Sequence, residues 1–421
     1  MKNSPSNSTI ARRSLLQSAA AGIGLYGLSG PAWARAAARA LPEPGDSGRI
    51  LVLLNLDGGN DGLSTVVRRE DDTYYRARPT LATPKKDLLP LDDLHGFHPS
   101  LLHIAERWKR GQVACIQGIG SPNPNLSHFS SRDSWAAGSV KDVLPQTGWL
   151  GRYQELVASQ SQKKLNVPLL AVGTDTMPYA LRDTNGSAVV VPSLDTYEIK
   201  DAPVESRADA RRRAMERLHR TSGSAETRAL AEAYRTARLS IEDLERVRSA
   251  KVRSDYPTTA LGVALRTVSQ VLAGGLPTRI FHVMQPGYDT HTDQLPTQAR
   301  LLRDLDSSLH VFMKDLEKQK LLDRTLIMTT SEFGRRVAES GIGSNVGSDH
   351  GAGNSLLCFG GEKLRAGFHG EASNLEDLDA NGNLHMKLDF RQMYADAIGP
   401  WLGSEPKAVL GGDFAPIGIT A

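Results

Sequence analysis

Short, continuously apolar segments recur along the chain, and they limit its fold more than any other feature of the sequence. They lie at 50–56, 112–117, 279–284 and 325–330. Apolar runs without alternating polar residues are expected of strands that are covered on both faces, as in a mostly parallel sheet. Segments with a helical period precede two of them, at 101–108 and 301–316. The sequence therefore predicts an open α/β sheet, with its chemistry at the carboxyl ends of the strands.

The N-terminal segment has the features of an export signal. Arg12 and Arg13 precede a mildly apolar stretch, from Leu15 to Ala34, that carries no charge and ends on a small-x-small cleavage site. These features resemble a twin-arginine signal. We therefore predict a signal peptide over 1–34, the twin-arginine export machinery as a partner, and a periplasmic or secreted protein without a stable membrane span in its mature form. A retained membrane anchor is the alternative.

The charge of the chain argues against a nucleic-acid partner. Its 50 Lys and Arg residues against 47 Asp and Glu residues give a formal net charge of +3. Lys2, Arg12 and Arg13 account for the whole excess, so the chain beyond 1–34 is neutral. A protein that binds a phosphate backbone needs a basic surface, which this balance does not supply.

A helical insertion is predicted at 201–255, where Arg, Glu and Ala dominate. The pattern favours helices at 226–238 and 240–252. Because acidic and basic residues alternate there, we interpret the insertion as a solvated region, and a basic contact surface is the alternative.

Both cysteines lie in apolar segments. Cys115 falls within the strand predicted at 112–117, and Cys358 falls within a similar run at 356–359. Buried free thiols are expected, and export to an oxidising compartment also permits one disulfide.

The polar residues that follow the first strand indicate a bound ion. Asp57 opens the segment 57–62, which combines carboxylates and an amide with glycines. Its spacing partly mimics a calcium loop, but Arg68 stands where that loop needs a bidentate Glu. Since glycines let the backbone fold close to an ion, Asp57 is predicted to be a metal ligand, with a plain glycine-rich turn as the alternative.

Ser127 follows the second strand, at the predicted start of a helix through 130–135. One interpretation is a residue that caps this helix. The other is a nucleophile that receives a phosphoryl group, because the amides at a helix N-terminus stabilise an anion. The residues themselves leave both open.

Further carboxylates and imidazoles stand at the remaining strand exits. Asp289 and His291 follow one strand, and Asp349 and His350 form a pair within a glycine-rich segment. Their oxygen and nitrogen atoms suit zinc or manganese. Glu332 follows the strand at 325–330 and is expected to accept a hydrogen bond that orients a ligand. Together these residues predict a site for a divalent metal.

Several longer motifs contain these residues: Leu56-Asp57-Gly58-Gly59-Asn60-Asp61-Gly62, Ser127-His128-Phe129, Gly148-Trp149-Leu150-Gly151-Arg152, Asp289-Thr290-His291, Ser331-Glu332-Phe333-Gly334-Arg335 and Asp349-His350-Gly351. Their order resembles the alkaline phosphatase superfamily, which has a doubly wound, mostly parallel α/β core. More closely, the chain resembles an exported bacterial family of unknown function within or near that superfamily. The likeness extends over 49–412 and includes the segment 389–391.

By position, the resemblance implies one or two divalent ions beside a serine nucleophile, Ser127. The implied ligands are Asp57, Asp349 and His350 for a first ion, and Asp289 and His291 for a second. Glu332 is implied to serve catalysis. The residues implied to bind substrate or to support the ligands are Asn60, His128 and Arg335.

The sequence departs from the phosphatase pattern in the residues expected to bind the second ion. Ala352 stands where many members of the closer family carry a histidine, with His369 or His385 as substitutes. Asp289 and His291 are also closer together than in the phosphatases. One ion, two ions or none are therefore all open.

The predicted function is an exported, metal-dependent hydrolase of phosphate or sulfate esters, acting on a small-molecule or polysaccharide ester. A formylglycine sulfatase is disfavoured, because its modified nucleophile needs a proline two residues later and an arginine four residues later. Cys115 is followed at these positions by Gln117 and Ile119, and Ser121 by Asn123 and Asn125. The alternative is a non-catalytic exported protein that uses the same cleft to bind a cell-wall or polysaccharide ligand.

Overall fold

A nine-stranded sheet forms the centre of the computed structural model, which describes residues 48–161, 165, 167–195, 197, 210, 213, 214, 217, 225–343 and 345–420. The predicted signal peptide at 1–34 lies outside the described residues, as does most of 201–224 in the predicted insertion.

Strands and helices alternate through most of the described chain. The strands are β1 (Ile50–Asp57), β2 (Val66–Arg68), β3 (Leu89–Pro90), β4 (His95–Phe97), β5 (Val113–Gly120), β6 (Leu169–Val172), β7 (Ala188–Val191), β8 (Ile280–Pro286), β9 (Thr325–Thr330), β10 (Gly334–Arg335), β11 (His350–Gly351), β12 (Asn354–Phe359), β13 (Gly367–Gly370) and β14 (Leu388–Asp389). The α-helices are α1 (Gly62–Thr65), α2 (Asp72–Ala77), α3 (Leu102–Lys109), α4 (His128–Ala137), α5 (Trp149–Gln160), α6 (Ala225–Arg248), α7 (Ala260–Ala273), α8 (Gln294–Lys318), α9 (Phe390–Asp396) and α10 (Pro406–Leu410). Short 3-10 turns lie at Lys85–Asp87, Tyr179–Leu181 and Leu322–Arg324, and a π-helix follows α9 at Ala397–Trp401. Among the described helices, none has both the length and the apolar character needed to cross a membrane.

The strand order of the main sheet is β13-β5-β12-β9-β1-β8-β6-β7, and β14 also pairs with β5. Within the described residues, every strand of this sheet runs in the direction of β1 except β12, which is antiparallel to both of its neighbours. The carboxyl ends of β1, β5, β8 and β9 therefore meet the amino end of β12 at one edge, referred to below as the carboxyl edge. Two small sheets, β2-β4-β3 and β10-β11, complete the pairing.

Helices cover both faces of the main sheet. On β1, Val52 and Leu54 pack into one core with α3, α6, α7 and α8. Leu51 and Leu53 pack into a second core with α4, α5, α9 and α10. Because adjacent side chains of a strand point to opposite faces, a strand buried on both sides must be apolar throughout. The fold is thus α/β and doubly wound about a mostly parallel sheet, which confirms the prediction.

The four predicted strands are confirmed as β1, β5, β8 and β9, with carboxyl ends that lie at or beyond the predicted ones. The largest difference is in β5, which continues to Gly120 rather than ending at 117. Helix α8 is also longer than predicted, since it begins at Gln294. Strands β6 and β7 have 4 residues each and were not predicted, because runs this short do not stand out from the surrounding sequence.

The described part of the predicted insertion differs from the prediction. Helices were expected at 226–238 and 240–252, but α6 is a single helix of 24 residues. Its last turns are not fully solvated, because Leu244 and Val247 are buried in the core beside α7. The sequence pattern missed this because the acidic and basic residues around these two side chains dominate the composition.

The two cysteines are free, buried thiols, as expected. They lie on the paired strands β5 and β12, where Cys115 is opposite Leu357 and Cys358 is opposite Ala114. This one-residue offset sends the two side chains into different cores, Cys115 into the first and Cys358 into the second. Burial raises the pKa of both thiols, so neither is reactive in the folded protein.

Candidate metal centre

The carboxyl edge gathers polar residues from several strand ends. Asp57 is the last residue of β1, Asp289 lies in the loop after β8, and Glu332 follows β9. His350 begins β11, in the segment that leads into β12, and His128 begins α4 after the loop that leaves β5. Because β12 is antiparallel, the residues before it reach the same edge as the residues that follow the parallel strands.

Three imidazoles and one carboxylate converge at this edge. His128, Asp289 and His350 each offer one atom suited to a metal, and these atoms lie within 4.8 Å of one another. His291 adds a fourth group, because its Nε2 atom lies 2.9 Å from Nε2 of His350 and 3.2 Å from Oδ1 of Asp289. The structure therefore brings together three predicted ligands with His128, which was predicted to bind substrate or to support the ligands.

Outer acceptors determine where the imidazole protons lie. The distances from Nδ1 are 2.8 Å from His128 to Oε1 of Glu332, 2.7 Å from His350 to the carbonyl oxygen of Leu126, and 3.2 Å from His291 to Oδ1 of Asp349. Carbonyl and carboxylate oxygens only accept hydrogen bonds, so each Nδ1 atom carries a proton. All three Nε2 atoms point towards Asp289, and in the tautomer with its single proton on Nδ1 each of them has a lone pair.

These inward lone pairs have no donor between them. Nε2 of His128 is buried and has no hydrogen-bond partner among the described residues, and Oδ2 of Asp289 lies 3.3 Å away from it. His291 and His350 face each other as acceptors at 2.9 Å. Acceptors at such distances repel one another unless a cation lies between them. Three imidazoles and a carboxylate, with protons held by outer acceptors, fit a divalent ion such as zinc or manganese.

The protonation states suit such an ion. Burial by itself would raise the pKa of Asp289, but opposing interactions, led by the hydrogen bond from Arg335, lower this pKa to about 2. Burial lowers the pKa of His350, so its ring is neutral at pH 7. The centre therefore presents an ionised carboxylate and a neutral imidazole at neutral pH.

Arg335 holds the surrounding loops together. Its guanidinium is 1% exposed and donates to the carboxylate of Asp289 at 2.9 Å. It also donates to the carbonyl oxygens of Gly58, Gly59, Tyr288 and Ser348. The sequence implied that Arg335 binds substrate or supports the ligands, and this geometry corresponds to support.

The glycines after β1 allow two strand-end loops to touch. Gly58 and Gly59 have φ angles of +117° and +77°, which side chains disfavour. A Cβ atom on Gly58 would lie 2.4 Å from the backbone nitrogen of Asp289, and one on Gly59 would lie 2.4 Å from the ring of Phe333. Contact with neighbouring protein segments is therefore sufficient to require glycine at both positions.

Asn60 supports the same loop from inside the protein. It is 1% exposed, and its backbone nitrogen donates to the hydroxyl of Ser331 at 2.8 Å. Its side-chain oxygen accepts hydrogen bonds from Thr65 and Gln298. These contacts hold the side chain of Asn60 inside the protein, away from the converging ligands.

Asp57 is paired with an arginine that the sequence analysis missed. Its Oδ1 atom lies 2.7 Å from Nε of Arg132, and its Oδ2 atom lies 3.1 Å from the terminal Nη2 nitrogen. The same Nε atom lies 3.3 Å from Oε1 of Glu332. Burial raises the pKa of Asp57, as does the adjacent charge of Glu332, against the opposite effects of Arg132 and His128. The only signal for Arg132 was its spacing from His128, four residues apart on α4.

Ser127 is the residue before α4 and is exposed to solvent. Its side chain accepts no hydrogen bond from the described amides of this helix, so the capping interaction considered from the sequence is not made. Its neighbours on both sides contact the centre, since the Leu126 carbonyl accepts from His350 and His128 is one of the converging residues. Ser127 thus stands in sequence between two residues that contact the centre, and its side chain is exposed.

The proposed substitutes for a missing histidine lie elsewhere. Ala352 is 7% exposed and offers no ligand atom. His369 lies 2.6 Å from the carbonyl oxygen of Arg365, and His385 lies 3.5 Å from Asp377. Neither has a contact with the converging residues, so the structure does not bring them to the centre.

Comparison with solved structures returns remote likenesses. The C-terminal periplasmic domain of EcEptC from Escherichia coli, in complex with Zn, is 10% identical, with 87% of each chain covered and a TM-score of 0.38. The PsFucS1 sulfatase from Pseudoalteromonas sp. is 11% identical, with 89% of this chain and 72% of that chain covered and a TM-score of 0.39. A protein in the alkaline phosphatase superfamily from Vibrio parahaemolyticus is 9% identical, with 77% and 62% covered and a TM-score of 0.30.

Comparison of the sequence itself is more specific. A search of curated proteins returns no match. A family described as "Protein of unknown function (DUF1501)" matches residues 110–410, a range that includes all the converging residues but not the motif at 56–62. The match confirms the family resemblance. The chain therefore belongs to this family of unknown function.

Proposed function

We propose that this chain is an exported, metal-dependent hydrolase of phosphate or sulfate esters. The observation that carries the proposal is the convergence of three imidazoles and the Asp289 carboxylate at the edge where Ser127, the exposed residue before His128, directly precedes α4. These acceptors lie partly exposed at the carboxyl edge, and a bound cation would offset their mutual repulsion. The export of the protein follows from the predicted signal at 1–34.

In this proposal, His128, His291, His350 and Asp289 hold one divalent ion. When bound, the ion supplies Lewis-acid stabilisation of the charge on the ester oxygens. Glu332 and Asp349 do not act on the substrate but keep the protons of His128 and His291 on Nδ1.

Ser127 is the nucleophile of the proposed reaction. Its oxygen forms a bond to phosphorus or sulfur in line with the bond that breaks, and the released alcohol takes up a proton equivalent to the one that Ser127 loses. Water then hydrolyses the seryl ester, which regenerates the hydroxyl. The first amides of α4, which follow Ser127, favour the negative charge of the transferred group.

The test is turnover of an aryl phosphate and an aryl sulfate by protein of known metal content. We expect Ser127→Ala to abolish turnover while the bound metal stays at the wild-type level. Ser130→Ala is the matched control, because Ser130 is exposed in the first turn of the same helix, and it should retain activity. Turnover that persists in Ser127→Ala would exclude this nucleophile. Bound metal without turnover in the wild-type protein would instead support the non-catalytic binding protein.

A further inference from the structure

We propose that Arg132 takes the place of a second metal ion, so that the centre combines one divalent ion with one fixed guanidinium. The inference rests on the metal centre of the proposed function. It concerns Asp57 and Glu332, the two carboxylates at the carboxyl edge that lie against this guanidinium.

Arg132 occupies the position that a bridging cation would take. Its guanidinium reaches both oxygens of Asp57, at 2.7 and 3.1 Å, and Oε1 of Glu332, at 3.3 Å. The side chains of the two acids are only 15% and 1% exposed, so water screens their charges weakly. Two carboxylates this close and this buried repel each other unless a positive charge lies between them.

A guanidinium fills this role permanently. It stays protonated at any physiological pH, and its planar fork matches carboxylate oxygens. Arg132 is also attached to α4, four residues after His128, so the same helix face supplies one ligand of the divalent ion and the fixed cation. A free second ion would first have to displace this covalently attached charge.

A second ion would also lack ligands. The imidazoles at this edge are already directed to Asp289, and Asp349 is occupied with Nδ1 of His291. Ala352 provides no ligand atom, and His369 and His385 are bonded elsewhere. Within the described residues, Asp57 and Glu332 are the carboxylates left for a second ion, and Arg132 already pairs with both of them. Loss of this guanidinium would free the two carboxylates to hold an ion together with water.

Metal stoichiometry tests this inference directly. The full chain is loaded with zinc or with manganese, dialysed, and measured by mass spectrometry of the bound metal, with titration calorimetry for affinity. We expect one ion per chain in the wild type, two in Arg132→Met, and one in Arg132→Lys, which keeps the charge. The double variant Arg132→Met with Asp57→Asn should return to one ion, because the second ion would lose its main ligand.

Two further variants keep the result interpretable. Asp57→Asn alone should keep one ion, with a metal affinity within twofold of that of the wild type. This measurement can be made even if Arg132→Met does not fold. Arg336→Met is the matched control, since Arg336 lies 3.8 Å from the carboxylate of Asp349, and it should also keep one ion.

The outcomes separate this inference from the proposed function. Two ions in the wild type, one ion in a folded Arg132→Met variant, a second ion in Arg336→Met, or loss of metal in Asp57→Asn would each overturn the role of Arg132. No bound ion in the wild type would overturn the proposed function itself.

Discussion

Replacing Glu332 with glutamine should weaken metal binding without displacing the ligand that Glu332 orients. Glu332 is 3% exposed, and its Oε1 atom accepts from Nδ1 of His128 at 2.8 Å. Both of its oxygens also lie near the backbone nitrogen of Gly58, at 3.0 and 3.2 Å. Glutamine has the same size and keeps one oxygen that accepts these bonds, so the change removes the negative charge while the ring stays in position.

The expected loss follows from the role of that charge. A carboxylate bonded to the outer nitrogen of a metal-bound imidazole makes the inner nitrogen a stronger donor, and losing such a partner costs about 10–100-fold in metal affinity. This is about 1.4–2.8 kcal/mol at about 1.4 kcal/mol per tenfold change. Because glutamine still accepts from His128, we expect Glu332→Gln to fall in the lower half of this range.

The assay is competition for zinc between the protein and a chromophoric chelator at constant pH, with circular dichroism to confirm folding. Glu339→Gln is the matched control, because Glu339 accepts from the backbone nitrogens of Thr80 and Leu81 at 2.9 and 2.8 Å, away from the converging ligands. Wild-type affinity in folded Glu332→Gln, or an equal loss in Glu339→Gln, would refute the assignment of His128 as a ligand oriented by Glu332.

Two further predictions concern stability. Burial lowers the pKa of His282 from 6.5 to about 4, so as the pH falls below 6.5 the unfolded chain takes up a proton that the folded chain does not. Between pH 8 and pH 5, the unfolding free energy of the wild type should therefore fall by about 2 kcal/mol more than that of His282→Leu. Equal losses for the two proteins in denaturant titrations would contradict this. Arg335→Met should cost about 3–5 kcal/mol, because it leaves the buried carbonyl oxygens of Gly59, Ser348 and Tyr288 without their donor and removes the cation that pairs with the half-exposed carboxylate of Asp289. A loss below about 1 kcal/mol would show that water replaces the guanidinium.

The parallel core could be predicted because burial on both faces leaves a direct record in the sequence. Strands β1, β5, β8 and β9 each contain a run of apolar residues, so their existence and approximate ends were evident. Strands β6 and β7 are also buried, but each has only 4 residues, so they were missed. The single helix α6 was read as two because the tertiary contacts of Leu244 and Val247 are not visible in local composition.

The chemistry of the carboxyl edge could be predicted only in part. Polar residues such as Asp289 and His291 stood out because carboxylates and imidazoles at the ends of apolar strands have no place in a core. The contacts of His128 and Arg132 were not evident, since they depend on how α4 docks against β1 and β9. A residue on a helix carries no local sign of the strand end that it faces.

The sequence by itself determined the sheet type, the positions of the strand exits and the residue types available for chemistry there, because burial and backbone conformation act on each segment locally. Only the tertiary structure decided which of these groups converge. Strand order is set by contacts between segments far apart in sequence, and it brings the residues before the antiparallel strand β12 to the same edge as those after β8. The same packing turns three Nε2 lone pairs towards Asp289 and pairs Asp57 with Arg132, and both results depend on distances that no single segment encodes.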